Sequence, residues 1–165
     1  LIPPLFVLGA TLELSSSRSK RSVAIKEFFK GPGKTILKSN ELITSIIIPK
    51  ASNHGFFLRL ATRRALAISK VSVAAGLKID DNKIIQSVKI ALGAVAPTVV
   101  RAARTEQSLI GNELTHRLIE ETSNIVKEEA SPIDDIRSNA VYRKEMVGVL
   151  LKRGLTRILE SYSNA

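Results

Sequence analysis

"VSVAAGLKIDDNKIIQSVKIAL", residues 71–92, decides the fold. Val71, Val73, Ala75, Leu77 and Ile79 alternate with small or polar residues, the period of a strand with one face in a core. "DDNK" at 80–83 supplies turn residues, and Ile84, Gln86, Val88, Ile90 and Leu92 resume the alternation. The stretch predicts an antiparallel hairpin with one buried face.

Working toward the C-terminus, the period becomes helical after "GAVAPTVVRA" at 93–102. A short helix is expected over Arg104 to Leu109, ended by Gly111. Leu114, Leu118, Thr122, Ile125 and Val126 mark a second helix, to about Ala130. "SPIDDIRSN" at 131–139 is a loop of cap-capable residues before a long last helix. On that helix Val147, Leu151, Leu155, Ile158 and Tyr162 form an inward stripe. Toward the N-terminus, Phe56 to Ala61 reads as a further strand, and "KASNHG" at 50–55 as a linker. The chain from residue 55 onward is therefore expected to be an α+β unit. Its antiparallel sheet has three or four strands, with about three helices on one face.

Residues 1–49 read as a smaller antiparallel piece. Leu5 to Leu14 is expected as a strand, built on Phe6-Val7-Leu8 and then Thr11, Leu12 and Leu14. "SSSRSKR" at 15–21 reads as a polar turn, Val23 to Ile25 as an answering strand, and "ELITSIIIP" at 41–49 as a β-branched strand stopped by Pro49. Within this piece "FFKGPGKT" at 28–35 ends like a Walker A loop. The glycine that motif needs five positions before Gly33 is Phe28, and Pro32 removes a backbone donor. A triphosphate cradle is not expected here.

Composition bounds the chemistry. The 165 residues are 44% hydrophobic, enough for a core, and carry a net charge of +10. There is no cysteine, which excludes disulfides, iron–sulfur clusters and thiolate zinc sites in this chain. His54 and His116 lie far apart in sequence, without ligand-like spacing. The positive charge suits an anionic cofactor, nucleic acid or an acidic partner. Five phenylalanines and two tyrosines, none interleaved with the basic residues, argue against a base-stacking platform. Leu1 is not a methionine, no basic segment precedes "LIPPLFVL", and the chain reads as part of a longer one.

Four stretches, in order, resemble one family. They are "GPGKTILKSNELITSIIIP" (31–49), "FFLRLATRRALAISKVSVAAGL" (56–77), "IALGAVAPTVVRA" (90–102) and "DDIRSNAVYRKEMVGVLLKR" (134–153). Together they are similar to the FAD-binding medium subunit of molybdenum hydroxylases, the carbon monoxide dehydrogenase and xanthine dehydrogenase type. The resemblance implies that residues 1–50 end a second FAD-binding subdomain and that 55–165 form the C-terminal domain. It implies that the first FAD subdomain, with its pyrophosphate-binding loops, precedes Leu1, so that this chain does not hold FAD tightly alone. It implies a cytoplasmic oxidoreductase in which [2Fe-2S] clusters of a small subunit pass electrons from a molybdenum-cofactor large subunit to FAD, and FAD to an external acceptor.

The same resemblance implies cofactor-binding positions at Thr35, Leu37, Ile43 and Arg59, with no catalytic residue in this chain. Ile43 would pack against the isoalloxazine and exclude water. Arg59, where the family usually has lysine, would place a cation near the ring's carbonyl edge. From the residues alone, Ile43 reads as strand core and Arg59 as a surface strand cation. Ala67 stands where the family carries an acidic residue. Arg63 and Arg64 are expected to anchor a loop or a subunit contact. Asp134, Asp135, Arg137, Tyr142 and Arg143 are expected to cap the last helix and pair it to the sheet. The alternative to a flavoprotein part is a non-catalytic basic α+β module for nucleic acid or an acidic protein.

Overall fold

The computed structural model describes residues 1–50, 54–63 and 66–163. In chain order the elements are α1 (Ile2–Val7), β1 (Thr11–Ser15), β2 (Lys20–Ala24), α2 (Ile25–Phe28), β3 (Phe29–Gly31), β4 (Lys34–Thr35) and β5 (Leu42–Ile47). They continue with β6 (His54–Ala61), β7 (Ser69–Ile79), β8 (Ile85–Gly93), β9 (Val100–Arg101), α3 (Ala103–Leu109), α4 (His116–Glu128) and α5 (Ala140–Ser163). The first part forms a three-stranded sheet of order β2-β1-β5 and a β3-β4 ribbon, and the second a four-stranded sheet of order β6-β7-β8-β9. Among the described residues every strand pairing is antiparallel, so the expected α+β class holds.

The 71–92 stretch forms the central hairpin, β7 and β8, with Ala74 opposite Ala91 and Leu77 opposite Val88. Val71, Val73, Ala75, Leu77 and Ile79 enter the main core with Val88, Ile90 and Leu92. Two expectations fail there. The register slips beside Ile79, so Ile85 rather than Ile84 enters the core, and Gln86 is exposed, donating from Nε2 to Asp80 at 2.7 Å. An extra residue in one strand reverses which side chains face inward. The hairpin is also covered on both faces, because Ala74 and Ala91 are buried beneath Val7 of α1.

α1 is the third correction. Phe6 and Val7 are helical, although their side chains favour strands. Pro3 and Pro4 sit in the first turn, where the missing N–H costs nothing and the fixed φ suits a helix. "SSSRSKR" is likewise not all turn, since Lys20 and Arg21 pair with Ser15 and Leu14 as part of β2.

The three C-terminal helices bury their apolar sides in the same core as β7 and β8: Leu109 from α3, Ile119 and Val126 from α4, and the expected Val147, Leu151, Leu155 and Ile158 from α5. Tyr162 packs at the margin and its hydroxyl hydrogen-bonds His54 Nε2 at 2.7 Å. Helix ends are held by carboxylates. Glu129, just past α4, accepts from the N–H groups of Arg104 and Thr105, both at 2.9 Å. That places an anion on the positive end of α3. Asn139 accepts from the Tyr142 N–H at 2.7 Å and starts α5. Asp135 pairs with Arg143 at 2.5 Å, and Arg143 Nη1 donates to the Ala94 carbonyl at 3.3 Å. Arg143 therefore links the first turn of α5 to the end of β8, as the sequence led one to expect. Among the described residues no helix is long and apolar enough to cross a membrane.

Candidate functional site

The Gly31-Pro32-Gly33 turn joins β3 to β4 as a tight hairpin. Pro32 presets one turn position, and Gly33 takes the left-handed conformation, φ +66°, that the next position demands. This is a turn, not a phosphate cradle. From it the chain runs through Thr35 and Leu37 into β5. Thr35 is exposed, and its Oγ1 accepts from the Leu37 N–H at 3.3 Å. Leu37 packs on a small core of Leu5, Leu12, Leu14, Val23, Ile25 and Phe28.

An ion pair between half-exposed Arg21 and buried Glu41 pins this segment. Arg21 on β2 donates from Nε and Nη2 to Glu41 at 2.7 and 2.8 Å, and Nη2 also reaches the Ile36 carbonyl at 3.0 Å. The Lys38 N–H donates to Glu41 at 2.9 Å. The Glu41 side chain is 4% exposed, so these bonds replace water for its carboxylate. The Arg21 hydrogen bonds first, and the Lys38 N–H second, hold the Glu41 carboxyl at about 2, below its ordinary 4.5. A depressed carboxyl stabilises the fold above the unfolded value and loses that effect as pH falls through the folded one. Arg21→Gln is therefore expected to destabilise most at neutral pH. The difference from the parent protein should shrink between pH 4.5 and about 2, which chemical denaturation at stepped pH measures. Sequence reading missed this clamp. Its signal was an acidic residue at the head of a β-branched run with an arginine in the neighbouring strand.

β5 is the edge of its sheet, beside β1. Ile43 lies opposite Leu14, and Ile46 opposite Leu12, so both extend the apolar face of the small core. Yet each is 45% exposed, and Leu42, Ile47 and Ile48 are exposed as well. An edge strand with this many uncovered β-branched and leucine side chains is a surface made to be covered. Ile43 is thus not strand core, the alternative its residue type suggested.

Arg59 stands on the other sheet. On β6, Phe56, Leu58 and Leu60 face the helices, and the alternate residues Phe57 and Arg59 face the side where α1 docks. Arg59 pairs across to Ser72, and Ser72 to Gly93, with Pro3 of α1 resting on Gly93. Two strand spacings put Arg59 about 10 Å along that row from the α1 contact. Its Nη1 donates to the Ala67 carbonyl at 3.2 Å, and Arg63 donates to the Leu66 carbonyl at 2.7 and 3.1 Å. Both arginines thus tie down the backbone at Leu66 and Ala67, beside exposed Leu66 and Ile68. Arg64 lies outside the described residues. Leu37 thus packs on the small core, Ile43 lies beside Leu14 on β5, Thr35 is exposed on β4, and Arg59 stands on the neighbouring sheet.

An apolar margin with few polar groups fits the ring of a flavin better than its phosphates. The Gly-Pro-Gly turn cannot supply consecutive N–H donors, because Pro32 has none.

Known proteins of this class share the architecture. The chain is 33% identical to the glyceraldehyde dehydrogenase medium chain of Sulfolobus acidocaldarius, over 93% of this chain and 54% of that one. It superposes on quinoline 2-oxidoreductase from Pseudomonas putida 86 with a TM-score of 0.88 at 26% identity, covering 96% of this chain and 55% of that one. Against the reconstituted CO dehydrogenase from Oligotropha carboxidovorans the TM-score is 0.84 at 26% identity, covering 93% and 54%. The chain spans about half the length of the curated relatives it matches. Residues 1–51 match the model of the FAD binding domain in molybdopterin dehydrogenase, and residues 56–158 that of the CO dehydrogenase flavoprotein C-terminal domain. The chain belongs to the CO dehydrogenase flavoprotein C-terminal domain family.

Proposed function

We propose that this chain is the C-terminal part of the FAD-binding subunit of a molybdenum-containing hydroxylase or dehydrogenase. Residues 1–50 would end the FAD-binding subdomain and 55–165 form the C-terminal domain, a division that the two matched ranges support. The flavin would relay electrons from [2Fe-2S] clusters in a small subunit, fed by a molybdenum cofactor in a large one, to an external acceptor. The relatives' names support an FAD-bearing medium chain: among them are the nicotinate dehydrogenase FAD-subunit of Eubacterium barkeri and carbon monoxide dehydrogenase medium chains.

The observation that carries the reading is the uncovered apolar margin of β5. Ile43, with Ile46 beside it, would exclude water from one face of the flavin, and Leu37 would back that surface from the small core. Thr35 offers a hydroxyl at the rim. Arg59 would supply positive charge from the second sheet, steadied by its bond to Ala67. The redox chemistry itself is the flavin's.

Ile43→Asp tests this. The side chain is half exposed, so folding should survive the change. In the natural protein that carries this sequence, lost apolar contact and a carboxylate against the ring should weaken FAD binding by about 30- to 100-fold. Unchanged flavin affinity, with an unchanged melting temperature, would remove Ile43 from the site.

A further inference from the structure

A concave site that the flavin reading does not use lies between the two parts of the chain. It is a cavity of about 350 Å³ where the end of α1 and the start of α2 face β8 and β9. That volume is at the low end for small-molecule sites. Its lining is mostly apolar and includes Phe6, Val7 and Ile25, with three basic residues, Lys26, Lys89 and Arg101. Among the described residues, no acidic one lines it.

The state of the cations is informative. Arg101 is bound to Glu106 through Nε at 2.9 Å and Nη2 at 2.8 Å, which leaves Nη1. Glu106 is fully engaged, since it also accepts from the buried Ile90 N–H at 2.8 Å. It cannot serve the lysines. Among the described residues, neither Lys26 nor Lys89 forms an ion pair. The Lys89 ammonium lies over Gly9, 3.4 Å from where a β-carbon would stand, and Gly9 has a φ of +66°. A larger residue at position 9 would be strained and would crowd the ammonium. The chain thus gathers like charges around the hollow, pairs Arg101 with Glu106, and among the described residues gives Lys26 and Lys89 no counter-charge.

We infer that this cavity binds a small amphipathic anion, an aromatic or branched carboxylate. Its hydrocarbon end packs on Phe6, Val7 and Ile25, and its carboxylate meets Lys26 and Lys89 at the rim. Apolar area gives the affinity, and the cations fix the orientation. An inorganic anion would forgo the wall, and a neutral aromatic would forgo the charges. Because the walls come from both parts of the chain, the ligand would tie α1 and α2 to the sheet and stabilise the protein by mass action.

The experiment is a calorimetric titration of the protein with three probes: 4-methylbenzoate, benzyl alcohol and inorganic phosphate. The carboxylate should bind and raise the melting temperature. The alcohol and phosphate should bind more weakly by about tenfold or more. Lys26 and Lys89 are exposed, so Lys26→Gln and Lys89→Gln should fold normally. Each should weaken 4-methylbenzoate by roughly threefold to tenfold. No binding of the carboxylate, equal binding of phosphate, or unchanged affinity in both lysine variants would overturn the inference. A Lys89→Gln protein that loses stability while its affinity stays the same would make Lys89 a structural partner of α1, and would overturn it too.

Discussion

Gly148→Val is expected to lower stability by about 2–4 kcal/mol, a fall in Tm of roughly 5–15 °C. Gly148 lies where α5 crosses α4. A β-carbon there would stand 2.5 Å from the Ser123 carbonyl oxygen and 2.7 Å from Lys127 Cε. The lysine can swing away, but the carbonyl belongs to the α4 backbone and can move only with its helix. That helix is held by Ile119 and Val126 in the core and by Glu129 at the start of α3. The sign of a smaller change is equally telling. In an open helix, glycine to alanine gains about 1 kcal/mol. Here Gly148→Ala should lose stability, because the contact outweighs the propensity. Thermal denaturation of both variants checks this, and a stabilised alanine variant would mean that the helices are not in such close contact.

Gly93→Val is expected to release α1 from the sheet. A β-carbon at Gly93 would meet Ser72 Oγ at 2.5 Å and Pro3 Cγ at 2.8 Å. The valine must push Pro3 outward, and with it the helix that brings Val7 over Ala74 and Ala91. The main core lies on the other face of the sheet and should survive. The expected result is therefore local. Hydrogen exchange across residues 2–8 should speed up by orders of magnitude, while β7 and α5 keep their protection. Loss of protection throughout would show instead that the two parts fold as one unit.

The hairpin at 71–92 and the stripe on α5 were legible in the sequence because a strict period of two, and then of about 3.6, leaves few alternatives. α1 was not legible. Phe6-Val7-Leu8 carries strand propensity, and only docking against small residues on the far face of the sheet makes a six-residue helix worthwhile. The small residues Ala74, Gly76, Ala91 and Gly93 were visible as the weak side of the alternation. They marked a close approach of another element rather than a solvent face. The slip at Gln86 was hidden for a similar reason, since one bulge residue shifts a register without changing composition. At the candidate site, Ile43 could be named through motif resemblance. Its exposure, and the Arg21–Glu41 clamp that presents it, needed the three-dimensional pairing of β1 with β2 and β5.

Whether the β5 margin faces a flavin is decided by an FAD titration. FAD would be added to the natural protein that carries this sequence, with Ile43 or with Ile43→Asp, while flavin fluorescence and absorbance are followed. Saturable binding with flavin spectral changes is expected with Ile43, and a marked loss with Asp at position 43. A folded protein that binds no FAD, or binds it equally well with either residue, would rule out a flavin on the β5 margin.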